Sequence, residues 1–518
     1  MESNEFNVFK HIEACPFSED NFQRLVKHTT PNPPPLPAIS VGADGAAVNL
    51  ARLLLRLGCA TILIEENYID RDFKAEYSAF YSKRFNLPSA CCTRLHFFKA
   101  KPTKYAVLVS PAELDPLMDE LSYLGFCVVR PTEFFRIGRT IIKFSAPNDS
   151  LEHYVTCSSW YKTHLLGREF KVYGMPFIQQ DTQVGACAHA VLWMVGRYLH
   201  ALGHCPEVSM PKINEYAKSR QPRGRYYPAH DGLVSHQMLD ALHEMGLSPI
   251  HYNSFGGTDK GRSDLIASLV YFYVESGLPV IICFERHVIL AIGHTLNPVK
   301  KSRAKLSDKI PGFIVHDDIS QPYGIFPIVG NQLYDLQKVV ELIAVLPNSV
   351  HLQGEFAEKL AMVMLAELAD PQSQLAQDCA SAARDSLVVP KEYRLRTYLM
   401  KATEFLTEIQ NGIADKSVPE DVGNLLLCLE YPIYIWISEI FEVFPRKSEA
   451  TDKCVGKFIF DSTAAGWDKS VMAILMERIA FLFDRQHLKE QPLIQPFGEK
   501  WQFYPRNTNS FVAGATDC

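Results

Sequence analysis

Cys187 stands in QQDTQVGACAHAVLWMVGRYLH, residues 179–200, where a turn of small residues runs directly into an apolar helical stretch. A thiol attacks as its thiolate, and a helix N-terminus stabilises that anion through unpaired backbone N–H groups and the helix dipole. Val191, Leu192, Val195 and Leu199 recur at helical spacing after the cysteine. A helix opening at or next to Cys187 therefore puts the sulfur where charge is favoured, with Gly185 and Ala186 keeping the approach to it open. Taken alone, the same residue also reads as a small core side chain at a tight turn, so a base has to be found elsewhere.

The stretch ESGLPVIICFERHVILAIGHTL supplies one. A helix ends at Gly277, a strand PVIICFE follows, and a second strand opens at His287. An imidazole at the mouth of an apolar strand is held by a rigid element while its ring faces outward, and within reach of a thiol it takes the proton to leave a thiolate–imidazolium pair. His294 closes the same strand at an odd offset of seven and should point to the opposite face, so His287 is preferred. A third group must orient the ring. FIVHDDISQPYG is a short apolar strand ending in two carboxylates, Asp317 and Asp318. Alternation lets only one of them face the imidazole, and Asp317 is preferred, with Asp318 solvated or capping the turn.

These three residues need helices and strands around them, and the chain supplies both. At 518 residues it is too long for one core. HTTPNPPPLPAISVGADG reads as an extended connector near residues 28 to 45. AAVNLARLLLRLGCATILIEENYID and AELDPLMDELSYLGFCVVRP each read as an amphipathic helix stopped by a glycine, Gly58 or Gly125, before a strand, and RIGRTIIKFSA adds another strand. Residues 1–150 are thus expected to form an α/β domain. YIDRDFKAEYSAFYSKRFN reads as an aromatic core edge with solvated charges, in preference to a surface for a partner. Residues 151–350 alternate helices and apolar strands. Residues 351–518 read as a separate α+β domain: GEFAEKLAMVMLAELADPQSQLAQDCASAARDSL helical, YPIYIWISEIFEVF and KCVGKFIFDSTA as strands, and SVMAILMERIAFLFD as either.

The order Cys, His, Asp, with a helix on the first and strands on the other two, resembles the papain-like cysteine peptidases, and most closely the group related to bacteriocin leader-processing (double-glycine) peptidases. MPFIQQDTQVGACAHAVLWMVGRYL is similar to that group's opening, HDGLVSHQMLDALHEMGL to its small helical stretch, LIASLVYFYVESGLPVIICFERHVILAIGH to its helix and His strand, and FIVHDD to the strand that supplies the acid. The match spans about residues 175–324. The resemblance implies a multidomain α+β chain with a central papain-like cysteine peptidase fold, Cys187 as nucleophile, His287 as general base and Asp317 as orienting acid. It also implies an oxyanion hole made of the Cys187 N–H and a glutamine side chain. Gln180 lies seven before the cysteine and Gln183 four before, and Gln180 is preferred. The position after the cysteine, usually Gly in that group, is Ala188 here. His189 lies two residues from Cys187 and shares no helix face with it, so it reads as structural, and Trp193 and Tyr198 read as packing residues.

Such a constellation performs acyl transfer at a carbonyl. The expected reaction is hydrolysis of a peptide bond in a protein or peptide substrate, making the chain a thiol protease. Deamidation, transglutamination and isopeptide cleavage use the same groups, and a transglutaminase usually places its histidine closer to the cysteine than the hundred residues seen here. The alternatives are an inactive papain-like scaffold or binding module, or a defence or toxin effector protease activated by a partner. Composition narrows the rest. With 47% apolar and 21% charged residues the chain has a globular balance, and no apolar run reaches membrane-spanning length. The N-terminus has no basic region leading into an apolar one, so a cytoplasmic location is expected. The net charge of −6 gives no reason to expect nucleic acid or membrane as a partner. Thirteen cysteines without a CxxC pair argue against structural zinc, and no metal or organic cofactor is implied. A regulatory protein partner would suit the flanking domains. The basic loop Lys300, Lys301, Arg303, Lys305 and Lys309 reads as a solvated excursion in preference to a clamp for acidic substrates.

Overall fold

The computed structural model describes residues 12–27, 45–108, 110–119, 121–218, 226–227, 229, 232–256, 258–297, 310–330, 334–383, 389–390, 392–442, 453–465, 470–483, 493–497 and 501. The proline-rich connector up to residue 44 and the basic loop with Lys300, Lys301, Arg303, Lys305 and Lys309 lie outside them. The chain forms two compact units, each drawn from several stretches. The first comprises Met1–Ser254, Pro279–Thr295 and Gly312–Val345, and the second Phe255–Leu278, Leu296–Pro311 and Leu346–Cys518.

The first unit begins with helices α1 (Glu19–Lys27), α2 (Gly45–Arg56) and α3 (Arg71–Ala79) and strands β1 (Ile12–Pro16), β2 (Thr61–Tyr68), β3 (Cys92–Phe98), β4 (Val107–Leu108), β5 (Tyr123–Val129) and β6 (Ile137–Ile142). These strands form one sheet in the order β4-β1-β2-β3-β5-β6 with antiparallel pairings throughout. The α/β expectation for this part is therefore corrected to α+β. A helix followed by a strand reads the same along the chain whether the helix is a crossover between parallel strands or a cover on an antiparallel sheet. Leu50, Leu53 and Leu54 of α2 are fully buried with Ile62, Leu63 and Phe97 of the sheet, so the apolar stripe does what its spacing requires.

The helix expected before Gly125 is also corrected. Pro111–Leu117 is a 3₁₀ turn with Pro116 inside it, because proline lacks the N–H that an α-helix needs. Gly125 does not stop an element but lies within β5, at φ +131°. A Cβ there would sit 2.1 Å from the Ile141 carbonyl oxygen of β6, so glycine is what lets the two strands approach.

A second sheet in this unit contains β7 (Glu152–Tyr154), β10 (Leu247–Tyr252), β11 (Val280–Cys283), β12 (Val288–Leu296), β13 (Gly312–Asp317), β14 (Gln321–Pro327) and β15 (Glu341–Pro347). Its order is β10-β15-β11-β12-β13-β14, with β7 added at β12. Between β7 and β10 in sequence come the hairpin β8 (Ser159–Leu165) and β9 (Arg168–Gly174), then α4 (Cys187–Ala201), α5 (Met210–Tyr216) and α6 (Ser235–Glu244). Every residue of α4 from Ala188 to Leu199 is buried. A helix buried on all sides belongs in the middle of a core, and α4 packs with Ile281, Leu290 and Ile343 of the second sheet in one continuous cluster.

The second unit holds α7 (Asp259–Glu275), α8 (Gly354–Ala369), α9 (Gln374–Ala383), α10 (Ala402–Ala414) and α11 (Glu420–Leu427). They accompany an antiparallel meander of β16 (Tyr393–Lys401), β17 (Tyr434–Glu442), β18 (Lys453–Asp461), β19 (Val471–Met476), β20 (Ile479–Leu482) and β21 (Leu493–Pro496), paired in sequence order. The stretch read as either helix or strand is the β19–β20 hairpin, turning at Glu477 and Arg478. Arg396 joins Glu275 and Glu439 inside this unit, at 2.6 and 2.8 Å. Among the described residues no helix is long and apolar enough to cross a membrane.

Gly125→Ala is expected to lower stability by about 3 kcal/mol or more, combining positive-φ strain with a backbone clash. Chemical denaturation against the unaltered protein measures it, and a loss under about 1 kcal/mol would contradict the close approach of β5 and β6.

Candidate active site

Cys187 is the first residue of α4, preceded by Ala186 in extended conformation at the N-cap. The turn before it is built by one carboxylate. Asp181 Oδ1 accepts the backbone N–H groups of Gln183, Val184 and Gly185 at 3.0, 2.8 and 2.9 Å, and Oδ2 accepts the Tyr81 hydroxyl at 2.8 Å. Those bonds hold Thr182 at φ +61°, an uncommon conformation for a β-branched residue. Gly185 does not serve an open approach, as the sequence suggested. A Cβ on it would lie 2.9 Å from Met210 Sδ and 3.0 Å from His189 Cβ, so its smallness answers close packing.

His189 caps the helix. Its Nδ1 accepts the Ala186 N–H at 3.2 Å, and Nε2 lies 2.9 Å from Asn214 Oδ1. The Asn214 amide in turn donates to the Val184 carbonyl at 2.8 Å. Burial drives the His189 pKa down to about 4, against the Asn214 hydrogen bond and Asp181, which raise it, so the ring stays neutral and able to accept. Trp193 and Tyr198 are buried. Trp193 also donates through Nε1 to Asp72 Oδ1 at 3.2 Å, and Arg197 pairs with the same oxygen.

That contact corrects in part the reading of residues 68–86 as carrying solvated charges: Arg71, Lys74, Lys83 and Arg84 are exposed, but the carboxylates are not. Asp70, Asp72 and Glu76 are buried. Asp70 caps α3 and accepts Arg139 at 2.9 Å, while Glu76 faces Arg130 at 3.4 Å. Arg130 also donates to the Gln179 carbonyl at 2.8 Å. Their cationic partners lie far along the chain, so no local window could reveal them. Burial outweighs Arg130 at Glu76, and with added repulsion from Asp181 its pKa reaches about 8.

His287 lies just before β12, in the β11–β12 turn, where its carbonyl accepts the Phe284 N–H at 2.8 Å. Its Nε2 is 3.0 Å from Asp317 Oδ1, and Cys187 lies close enough to the ring to raise its pKa. With Nε2 on the carboxylate, Nδ1 is the nitrogen left for the thiol. Burial pulls the imidazole pKa down, but the bond to Asp317 and the nearby Cys187, with the charges of Asp317 and Asp318, overcome it and raise the value to about 11. His294 is buried further along β12, its Nδ1 3.3 Å from the Thr295 carbonyl.

Asp317 and Asp318 differ sharply. Asp317 accepts from His287, from the Ile319 and Ser320 N–H groups at 3.0 and 3.3 Å, and from the Ser320 and Tyr334 hydroxyls at 2.7 and 2.9 Å. Burial raises its pKa, yet these donors bring it to about 2. Asp318 is neither solvated nor merely a turn cap. It is fully buried, Oδ2 accepts the Gln180 N–H at 3.4 Å, and Oδ1 has no partner. Burial therefore prevails over the nearby His287, and the pKa rises to about 7. Ser320 and Tyr334 were not singled out from the sequence. An Asx-turn pattern after Asp317 signals the first, and nothing local signals the second.

Of the predicted residues, Cys187, His287 and Asp317 come together, and Gln180 reaches the same place through its backbone bond to Asp318. Gln183 lies in the Asp181 turn, where its carbonyl accepts the Ala229 N–H at 2.7 Å. His287, Asp317 and Asp318 also present ligand atoms all within 4.8 Å of one another, a set that could hold a divalent cation. As the groups stand, the imidazole and the Asp317 carboxylate share a charge-assisted hydrogen bond. The arrangement can activate a thiol, carry a proton and keep the carrier oriented.

No protein-family profile and no curated protein sequence match the chain. Among solved structures, the crystal structure of UfSP from C. elegans aligns with 16% identity over 39% of this chain and 39% of that one, at a TM-score of 0.24. The chain thus spans about two-fifths of that protein. The likeness is distant.

Because the folded state favours protonated Asp318, this group stabilises the fold at acid pH, and the contribution is lost as pH rises from the usual carboxylate range through about 7. Asp318→Asn should remove that decline, so its stability relative to the unaltered protein should improve by about 1–4 kcal/mol between pH 5 and pH 8. Urea unfolding at the two pH values measures this, and parallel stabilities would contradict it.

Proposed function

We propose that this chain is a cysteine peptidase. Cys187 attacks the carbonyl of a peptide bond, His287 moves the proton, and Asp317 positions the ring. The observation that carries the reading is the imidazole of His287, held by the Asp317 carboxylate at 3.0 Å and adjacent to the thiol at the head of α4. An imidazolium beside the sulfur stabilises the thiolate, and the helix terminus adds to it. When the tetrahedral intermediate collapses, His287 gives its proton to the departing amine, leaving a thioester on Cys187. Water, deprotonated by the same ring, then releases the acid.

In this reading the oxyanion is met by the Cys187 N–H, at a helix start where such groups lack helical partners, and by the Gln180 side chain. Removing one such donor typically costs about 10²–10³ in rate. Asp317 keeps its charge throughout, because five donors satisfy it, and so maintains the ring's tautomer and protonation. The papain-like resemblance around residues 175–324 supports the same assignment.

Incubation with a mixed peptide pool, acid quench and mass analysis should reveal an acyl adduct on Cys187 and cleaved peptides. Cys187→Ala should abolish both, and His287→Ala should slow cleavage by about 10³-fold or more. Cleavage that persists in Cys187→Ala would exclude this mechanism.

A further inference from the structure

The peptidase reading leaves the substrate side chain open, and the sheet that carries His287 offers an answer. Cys283 ends β11 and pairs with Val288 on one side and Glu341 on the other. His287, Cys283 and Glu341 therefore lie in a row along one rim of the sheet, across three neighbouring strands. Side chains alternate along a strand. Ile343 and Val345 of β15 belong to the core that packs on α4, so Glu341, two before Ile343, projects on the same face, towards the helix that begins with Cys187. The Cys283 thiol is consistent with this. Burial first, then Glu341, then Cys187 push its pKa up to about 12, which places it near both groups.

Glu341 itself is about a quarter exposed, with its side chain at 25%. Its carboxylate meets the hydroxyl of Ser235 at the start of α6 and lies 3.2 Å from His251 Nε2. The second contact is not aligned as a hydrogen bond. Among the described residues no lysine or arginine pairs with Glu341. Other buried carboxylates of this unit, Glu65, Asp70, Asp72 and Glu76, each have an arginine, Asp181 and Asp317 are satisfied by several hydrogen-bond donors, and Asp318 has its pKa raised by burial. A partly buried, solvent-reachable carboxylate whose ionisable neighbour at ion-pair distance is an imidazole is suited to receive a lysine or arginine side chain.

Two strand spacings separate β15 from β12, about 10 Å. An extended peptide advances about 3.5 Å per residue, so a long side chain one or two residues from the scissile bond spans the gap. We propose that Glu341, supported by Ser235 and His251, is a substrate-recognition subsite for a lysine or arginine side chain within two residues of the bond cut at Cys187. The proposal rests on the peptidase reading above and names its substrate class.

The test is cleavage of a proteome-derived peptide library by the full chain, with cut sites identified by mass spectrometry. Labelling of Cys187 by iodoacetamide is measured in parallel. The unaltered protein should favour sites with Lys or Arg within two residues of the cut by about tenfold or more over Leu. Glu341→Gln should remove the preference, and Glu341→Arg should turn it towards Asp and Glu. Cutting without a cationic preference, or a preference unchanged in both variants, would overturn the subsite and leave the peptidase reading standing. If nothing is cut and Cys187 labels no faster than exposed Cys428, both fall.

Discussion

The site depends on a buried carboxylate that stays charged. Asp317 closes β13 and is nearly enclosed, a place where desolvation alone would favour its neutral form. Two backbone N–H groups, two hydroxyls and an imidazole reverse that preference. The same bonds fix the β13–β14 turn, so the fold and the charge are secured together. Asp318, one residue on, has the burial without the donors and goes the other way. Neighbouring carboxyls whose environments drive their pKa values apart are a feature of sites that handle protons.

The thiol is held by a separate set of contacts. Asp181 and His189 organise the two sides of the turn that delivers Cys187, one by accepting three backbone N–H groups and the other by capping the helix start. Further along α4, Trp193 and Arg197 reach Asp72 on α3. Buried ion pairs of this kind add little net stability compared with apolar packing, but leaving one partner unmatched is costly. Their effect is to restrict where α4 can lie. Cys187 and His287 thus belong to a helix and a sheet rim, rigid elements of the kind that positioning within fractions of an ångström would require of a nucleophile and its base.

What the sequence made legible were the ends of apolar elements. Cys187, His287 and Asp317 each sit where such an element starts or stops, and hydrophobic periodicity locates those points. Strand alternation favoured Asp317 over Asp318, and it is Asp317 that meets His287. Long-range partners were not legible. Tyr334 contacts Asp317 from 17 residues away, and Arg197 reaches Asp72 across 125. The carboxylates around α3 therefore read as solvated when they are enclosed. Sheet direction escaped as well, because alternation gives a strand its faces but not its neighbours. Gly125 looked like a stop because a glycine after a polar stretch ends many helices, while its actual constraint lies across the sheet at Ile141.

The central claim is that His287, held by Asp317, faces Cys187 and serves as its base. The most direct measurement is the rate of Cys187 alkylation from pH 5 to pH 9, by quantitative mass spectrometry, with exposed Cys428 as internal reference, in the unaltered protein and in Asp317→Asn. The account predicts that Cys187 outpaces Cys428 by about tenfold or more at pH 6 and that Asp317→Asn moves its profile to higher pH by at least about one unit. Coincident profiles for the two cysteines in the unaltered protein would contradict it.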